Sequence, residues 1–346
     1  MFVFSITISS KKARRRYDSK NWETLLFYKS CYNLSMLIFW RLPMKLLYFL
    51  EQIRIPVLDK LMLLVTSLGE ETAFLVIALA LFWCIHKYMG YYILSVGFVG
   101  TLANQFMKLW FRIPRPWILD EHFTIVEQAR EAASGYSFPS GHTQCAVGTL
   151  CGIAYTAKQK IVRIVCIALA VLVPISRMYL GVHTPLDVGA ASLMALALVF
   201  AFQPLFGKNS HKRMPILFGV MILLSVAYLI FIECYPFPAD LDAHNYASGL
   251  KSGYTLFGSL LGLIVVYIVD EKWLHFTTKA VWWVQILKVV GGLALVLCIK
   301  SGTKELLNSL MGENIGRAAR YFLIVVFAGI VWPSTFRWFS KLGNKE

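Results

Sequence analysis

Apolar runs long enough to cross a lipid bilayer recur along this chain of 346 residues and leave few folds open to it. They fall at residues 71–86, 90–110, 141–157, 161–181, 184–206, 215–232, 253–270, 281–299 and 319–339. A hydrocarbon core about 30 Å thick takes about 20 apolar residues as a helix, and in lipid the backbone polar groups must be satisfied within the segment itself. The pattern therefore predicts an all-α, polytopic membrane helix bundle with nine transmembrane helices. A tenth falls at 34–50, "LSMLIFWRLPMKLLYFL", where Arg41 and Lys45 interrupt the run. Residues 51–68 are amphipathic and are expected to lie along the membrane interface. Composition agrees, with 58% hydrophobic and only 15% charged residues, against about 25% charged in a soluble domain.

The formal charge of +15 would suggest nucleic acid as a partner of a soluble protein. Here Lys and Arg gather in short loops and in the N-terminal stretch, and no basic run is interleaved with aromatics. Nucleic acid is not expected; the lipid bilayer, with its anionic headgroups, is the partner. Basic loops at Lys87, Lys158 to Arg163, Lys208 to Arg213, Lys272 to Lys279 and the C-terminal tail alternate with loops 111–138, 233–252 and 300–318, which hold nine of the 19 acids. The preference of positive loops for the cytoplasm places the second set on the extracytoplasmic side of a cell membrane.

Three units are expected: a basic extension over 1–43, a core over 44–210 and additional transmembrane helices over 211–346. In the extension "MFVFSITISS" precedes "KKARRRY", the reverse of a secretory signal, and Met44 is an alternative start. Five of the seven cysteines, Cys84, Cys145, Cys151, Cys166 and Cys298, lie inside apolar runs without a CxxC pair, as small fillers would. The stretch 238–248, "PADLDAHNYAS", offers Asp240, Asp242 and His244 and reads as a solvated loop, so no metal and no cofactor are expected. "GSLLG" at 258–262 suits close helix packing within the chain, with a homodimer contact as the other use of such a face. Lys288, deep in an apolar run, is expected to snorkel to the cytoplasmic interface.

Three polar clusters interrupt the apolar pattern: "KLWFRIPRP" from Lys108 to Pro116, "FPSGH" from Phe138 to His142, and "SRMYLGVHTPLD" from Ser176 to Asp187. Counting spans puts all three on one membrane face, the extracytoplasmic one. A lipid-facing Lys or Arg at the bilayer centre costs about 3 kcal/mol, so Lys108, Arg115 and Arg177 are expected to share a polar cavity. Three converging cations call for an anion, and phosphate matches their number and fork geometry. Ser140 and Gly141 open a helix, where free backbone N–H groups attract phosphate oxygens. His183 and Asp187, four apart, are placed on one helical face, so that the carboxylate fixes the imidazole as nucleophile or base. His142 is then free to act as general acid.

Lys108, Arg115 and Pro116, then Pro139 to His142, then Ser176, Arg177, His183 and Asp187 together resemble the complete signature of the type-2 phosphatidate phosphatase superfamily, which includes membrane lipid phosphatases and vanadium haloperoxidases. The resemblance covers roughly residues 60–206, in a bacterial-type chain with additional C-terminal transmembrane helices. It implies metal-independent hydrolysis through a phosphohistidine, in which His183 attacks, Asp187 orients it, and His142 protonates the leaving group. Lys108, Arg115, Ser140, Gly141 and Arg177 would hold the phosphate. The haloperoxidase relatives are soluble, so a membrane lipid phosphate or diphosphate is the expected substrate. Phosphatidate, phosphatidylglycerophosphate, a sphingoid phosphate and undecaprenyl diphosphate all remain open, as does phosphotransfer between lipids. The reading from another class is a transporter or lipid-binding scaffold, which would carry facing charges or broken helix pairs in the C-terminal spans.

Overall fold

The computed structural model describes residues 42–133, 135–206, 210–238 and 241–339, and every regular element among them is helical. Six stretches are long and apolar enough to cross a membrane: Lys160–Tyr179, Pro185–Phe202, Lys212–Cys234, Ala243–Leu274, Trp282–Gly302 and Glu313–Phe339. The pair Pro56–Ser67 and Glu71–Ile85, bent by 51°, makes a seventh if counted as one span. The chain is a multi-pass membrane protein. The extension 1–43 lies almost wholly outside the described residues, as do residues 34–41 of the expected tenth span; what is described begins with a short helix, α1, Leu42–Gln52, which takes in the rest of that span.

Two of the nine expected spans are helices of a different kind. Helix α4, Lys87–Phe111, carries Asn104, Gln105 and Lys108 and is enclosed by protein, with Tyr91, Tyr92, Ile93 and Val96 at most 1% exposed. Helix α5, Gly141–Thr156, has only 16 residues and is buried along most of its length. A helix lined by other helices can be shorter and more polar than one facing lipid, which is why length and composition do not count these two as spans. The amphipathic stretch is helical and joins the bundle at its end. Helix α2, Pro56–Ser67, turns at Leu68 to Glu70 into α3, Glu71–Ala80, and buries Thr66 at 4% exposure against the bundle.

Helices α6, Lys160–Tyr179, and α7, Pro185–Phe202, flank α5. On α6 the exposed Ile161, Ile164, Ile167 and Val171 form a lipid face, while Ala170, Val173 and Arg177 turn inward. The tight turn between α6 and α7 needs a glycine: Gly181 has φ +82°, and a Cβ there would lie 2.7 Å from Nη2 of Arg54. Arg54 braces that turn by donating to the carbonyls of Tyr179 (2.9 Å) and Thr124 (2.8 Å). Helix α7 then starts on strong local signals. Thr184 is the N-cap, Pro185 the first helical residue, and Asp187 completes a capping box, its carboxylate accepting the Thr184 amide at 2.7 Å.

The remaining helices are α8, Ser210–Cys234, α9, Ala243–Val269, α10, Trp282–Gly302, α11, Lys304–Met311, and α12, Glu313–Val326. Between helices in lipid, close backbone approach supplies the attraction that apolar burial cannot. Gly258 and Gly262 provide it: a Cβ on Gly258 would lie 2.0 Å from the Ala318 carbonyl oxygen, and one on Gly262 would lie 2.9 Å from Val325. The GxxxG face is thus used within the chain, by α9 against α12. The C-terminal helices are tied to α4 by an ion pair, Lys87 Nζ to Asp270 Oδ2 at 2.7 Å, with the carboxylate 1% exposed. Lys288 does not snorkel: it is fully buried, its ammonium 4.4 Å from the centre of the Phe336 ring and 3.4 Å from the Thr278 carbonyl. Asp242 caps α9 by accepting the Asn245 amide at 2.8 Å, while Asp240 lies outside the described residues.

Candidate active site

Helix α4 ends, α5 begins, α6 ends and α7 begins at the same end of the bundle. This brings together Lys108 from the last turn of α4, Arg115 from the following loop, Ser140, Gly141 and His142 at the start of α5, Arg177 near the end of α6, His183 in the turn and Asp187 in the first turn of α7. A main-chain hydrogen bond joins two of these beginnings, the Ser140 amide donating to the Asp187 carbonyl at 3.1 Å. Ser140 is also the N-cap of α5, its hydroxyl accepting the Thr143 amide at 3.4 Å. The first-turn amides of α5, beginning at Gly141, have no carbonyl within the helix to donate to.

His183 is 1% exposed and lies beneath a guanidinium. Nη1 of Arg115 is 2.8 Å from Nε2 and 3.4 Å from Nδ1 of the ring. Those two distances place Nη1 over the ring face, away from the in-plane lone pair of Nε2. The same guanidinium is anchored by main-chain carbonyls, Nε to Gly135 at 2.9 Å and Nη1 to Val182 at 2.9 Å. On the other side of the ring, Nδ1 is 3.5 Å from Asp187 Oδ2 and 3.5 Å from Ser137 Oγ. The Ser137 hydroxyl donates to Asp187 Oδ2 at 2.6 Å.

Asp187 therefore faces His183 Nδ1 as expected from the sequence, but at 3.5 Å, longer than a strong hydrogen bond. The reason is local: Thr184 is the N-cap and the helix starts at Pro185, so His183 precedes the helix and helical spacing does not govern the pair. Burial first, then the positive charges of Arg115, Arg177 and Lys108 and the neighbouring His142, hold the His183 imidazole well below its usual pKa and hence neutral. Arg115, in the loop, is pushed down to about 10 by burial, partly offset by Asp187, and remains charged at neutral pH.

Arg177 is completely buried, with Nη1 donating to Thr66 Oγ1 at 2.9 Å. Its Nε and Nη2, together with His142 Nε2, are buried without a hydrogen-bond partner among the described residues. Lys108 Nζ donates to the Tyr136 carbonyl at 2.8 Å. Asn104, one turn before Lys108 and 2% exposed, donates to the Pro139 carbonyl at 3.3 Å. Clustered cations with unsatisfied buried donors suit a tetrahedral oxyanion. Among the described residues no three His, Cys, Asp or Glu side chains group as metal ligands. Sequence reasoning missed Thr66, Asn104 and Ser137. Asn104 was legible as a polar residue four positions before Lys108, and Ser137 as a hydroxyl just before "FPSGH".

A bundle of helices whose ends gather two imidazoles, a carboxylate and three cations is the framework of a membrane phosphatase. Residues 86–211 match the family model described as PAP2 superfamily, and residues 254–345 match the model described as PAP2 superfamily phosphatase, transmembrane extension. Over 161 residues the chain is 32% identical to phosphatidylglycerophosphatase B of Bacillus subtilis (strain 168), a match covering 43% of this chain and 75% of that protein. Undecaprenyl-diphosphatase BcrC of the same organism is 27% identical over 149 residues, covering 42% of this chain and 74% of that protein. Among solved structures, the first transmembrane PAP2 type phosphatidylglycerolphosphate phosphatase from Bacillus subtilis aligns with a TM-score of 0.44 at 28% identity, covering 54% of this chain and 94% of that one. The chain belongs to the PAP2 superfamily. It is a hydrolase acting on lipid phosphates.

Proposed function

We propose that the protein cleaves the phosphate or diphosphate of a membrane lipid through a phosphohistidine on His183, at the extracytoplasmic face. The observation that carries this reading is the setting of the His183 ring. Nδ1 faces two oxygens, and the Ser137 proton is committed to a carboxylate that has none to give, so Nδ1 carries the ring proton and Nε2 the lone pair. Arg115 stands over the ring without occupying that lone pair.

In the proposed reaction Nε2 attacks phosphorus and the ester oxygen leaves with a proton from His142. The now basic His142 takes a proton from water, whose oxygen attacks phosphorus and breaks the P–N bond, releasing phosphate and restoring both imidazoles. Charge on the transferring group is met by Lys108, Arg115, Arg177, the Ser140 hydroxyl and the Gly141 amide. No step calls on a metal. Residues 44–210 form the catalytic unit in this reading, with 211–346 supporting it and offering the surface for a homodimer. A site at helix ends, in the headgroup zone, suits a substrate whose tail stays in lipid. The matches to a phosphatidylglycerophosphatase and an undecaprenyl-diphosphatase favour a glycerophospholipid monoester or a polyprenyl diphosphate.

The test is phosphate release from a panel of lipid phosphates and diphosphates in detergent, with a chelator present, for the wild type and His183→Ala. Release by the wild type and none by the variant is expected. A requirement for added metal, or full activity of the variant, overturns the mechanism; failure to act on any lipid in the panel would favour a lipid-binding scaffold.

A further inference from the structure

Asp187 Oδ2 is already occupied by two short hydrogen bonds, from the Ser137 hydroxyl at 2.6 Å and from the Thr184 amide at 2.7 Å. The imidazole Nδ1 stands 3.5 Å away, beyond a strong contact, and at that same 3.5 Å from the Ser137 oxygen. Ser137 is fully buried, so water does not compete for its hydroxyl. It is held in place by its own main chain, the Ser137 amide donating to the Ile113 carbonyl at 2.8 Å. From these contacts we infer that Ser137 is a positioning residue, the bridge through which Asp187 orients His183.

The order of donors follows from the chemistry of the three groups. A carboxylate only accepts, so the hydroxyl proton points to Asp187, and the lone pairs of Ser137 Oγ are left to receive the Nδ1 proton. The chain Nδ1–H to Oγ–H to carboxylate fixes the imidazole tautomer and, when Nε2 forms its bond to phosphorus, spreads the positive charge of the ring toward the carboxylate. The proton stays on Nδ1 throughout. Ser137 touches neither the substrate nor the reacting nitrogen. Its removal should therefore weaken the chemical step and leave substrate binding alone.

This inference rests on His183 as the nucleophile, so the experiment carries a control for each. Initial rates on a short-chain lipid phosphate in detergent are measured for the wild type, His183→Ala, Ser137→Ala, Ser137→Thr, Asp187→Asn and the Ser137→Ala, Asp187→Asn double variant. Thermal unfolding of each is followed in parallel. Loss of an orienting partner of a reactive imidazole is expected to lower kcat about 10- to 100-fold with KM within about threefold. Ser137→Thr, which keeps the hydroxyl, should recover most of it. Because Ser137 and Asp187 act in one chain, the double variant should be no slower than Asp187→Asn alone. A folded Ser137→Ala with wild-type kcat, or losses that multiply in the double variant, overturns the bridge. Full activity of His183→Ala would instead overturn the nucleophile. If the alanine variant does not fold, Ser137→Cys takes its place, since a thiol of similar size and weak donor strength should lower kcat in the same way.

Discussion

Arg115 holds one nitrogen over the imidazole of His183, 2.8 Å from Nε2, while that same nitrogen donates to the Val182 carbonyl at 2.9 Å. The neighbouring residue's main chain thereby sets the height of a fixed positive charge above the ring. Arg115→Lys should fail to reproduce this, because an ammonium cannot span the Gly135 and Val182 carbonyls together. We expect kcat/KM to fall by about 100-fold or more, the cost of two charge-assisted hydrogen bonds of about 1.5 kcal/mol each. Rates at matched folded fraction check this, and a lysine variant within about threefold of wild type contradicts it.

Thr66 lies outside the region that matches the PAP2 superfamily model, yet it receives Nη1 of Arg177. Thr66→Val keeps the shape and removes the acceptor, freeing the guanidinium to turn away from the phosphate. KM should rise about 3- to 10-fold, with a smaller change in kcat, as expected for losing a partner that holds a binding group in place. Unchanged KM for a lipid phosphate would mean that Arg177 is positioned by other contacts.

The depressed pKa of His183 has a direct reading in solution. A group pushed down stays neutral to lower pH, so the imidazole should not charge as pH falls from 8 through its ordinary value of about 6.5. Ring-labelled histidine, with His183 assigned by its loss in His183→Ala, offers the measurement among the seven histidines of the chain. A titration midpoint at or above 6.5 is inconsistent with the burial and the three neighbouring cations.

The Lys87–Asp270 pair joins the C-terminal helices to the base of α4. Lys87→Met strands a carboxylate that is 1% exposed and should cost about 3 kcal/mol of stability, whereas Lys87→Met with Asp270→Leu should recover most of it. Thermal unfolding in detergent compares the two. A single variant as stable as the double one means that Asp270 finds other compensation.

Much of the site was legible because its residues announce themselves twice. Thr184, Pro185 and Asp187 form a helix-start pattern, Asp187 belongs to the PAP2 signature as well, and Ser140 caps the helix that presents His142. The pairing of Asp187 with His183 was legible but its 3.5 Å separation was not, since four-residue spacing implies a shared face only inside a helix and His183 lies before one. Thr66 and Ser137 were missed because a lone hydroxyl carries no periodicity, and its worth depends on a partner 111 or 50 positions away. That helices α4 and α5 are enclosed by protein was not legible, because sequence does not reveal which helices others enclose. Lys288 was misread for the same reason, since Phe336, which receives its ammonium, arrives from another helix.

The hydrogen bond from the Ser140 amide to the Asp187 carbonyl belongs to no side chain. Substitution at either position, short of proline at 140, leaves that stitch intact, so the distance between the two halves of the catalytic apparatus is written into the backbone. The membrane-facing surface of the intervening hairpin can therefore be altered while the reaction centre keeps its dimensions.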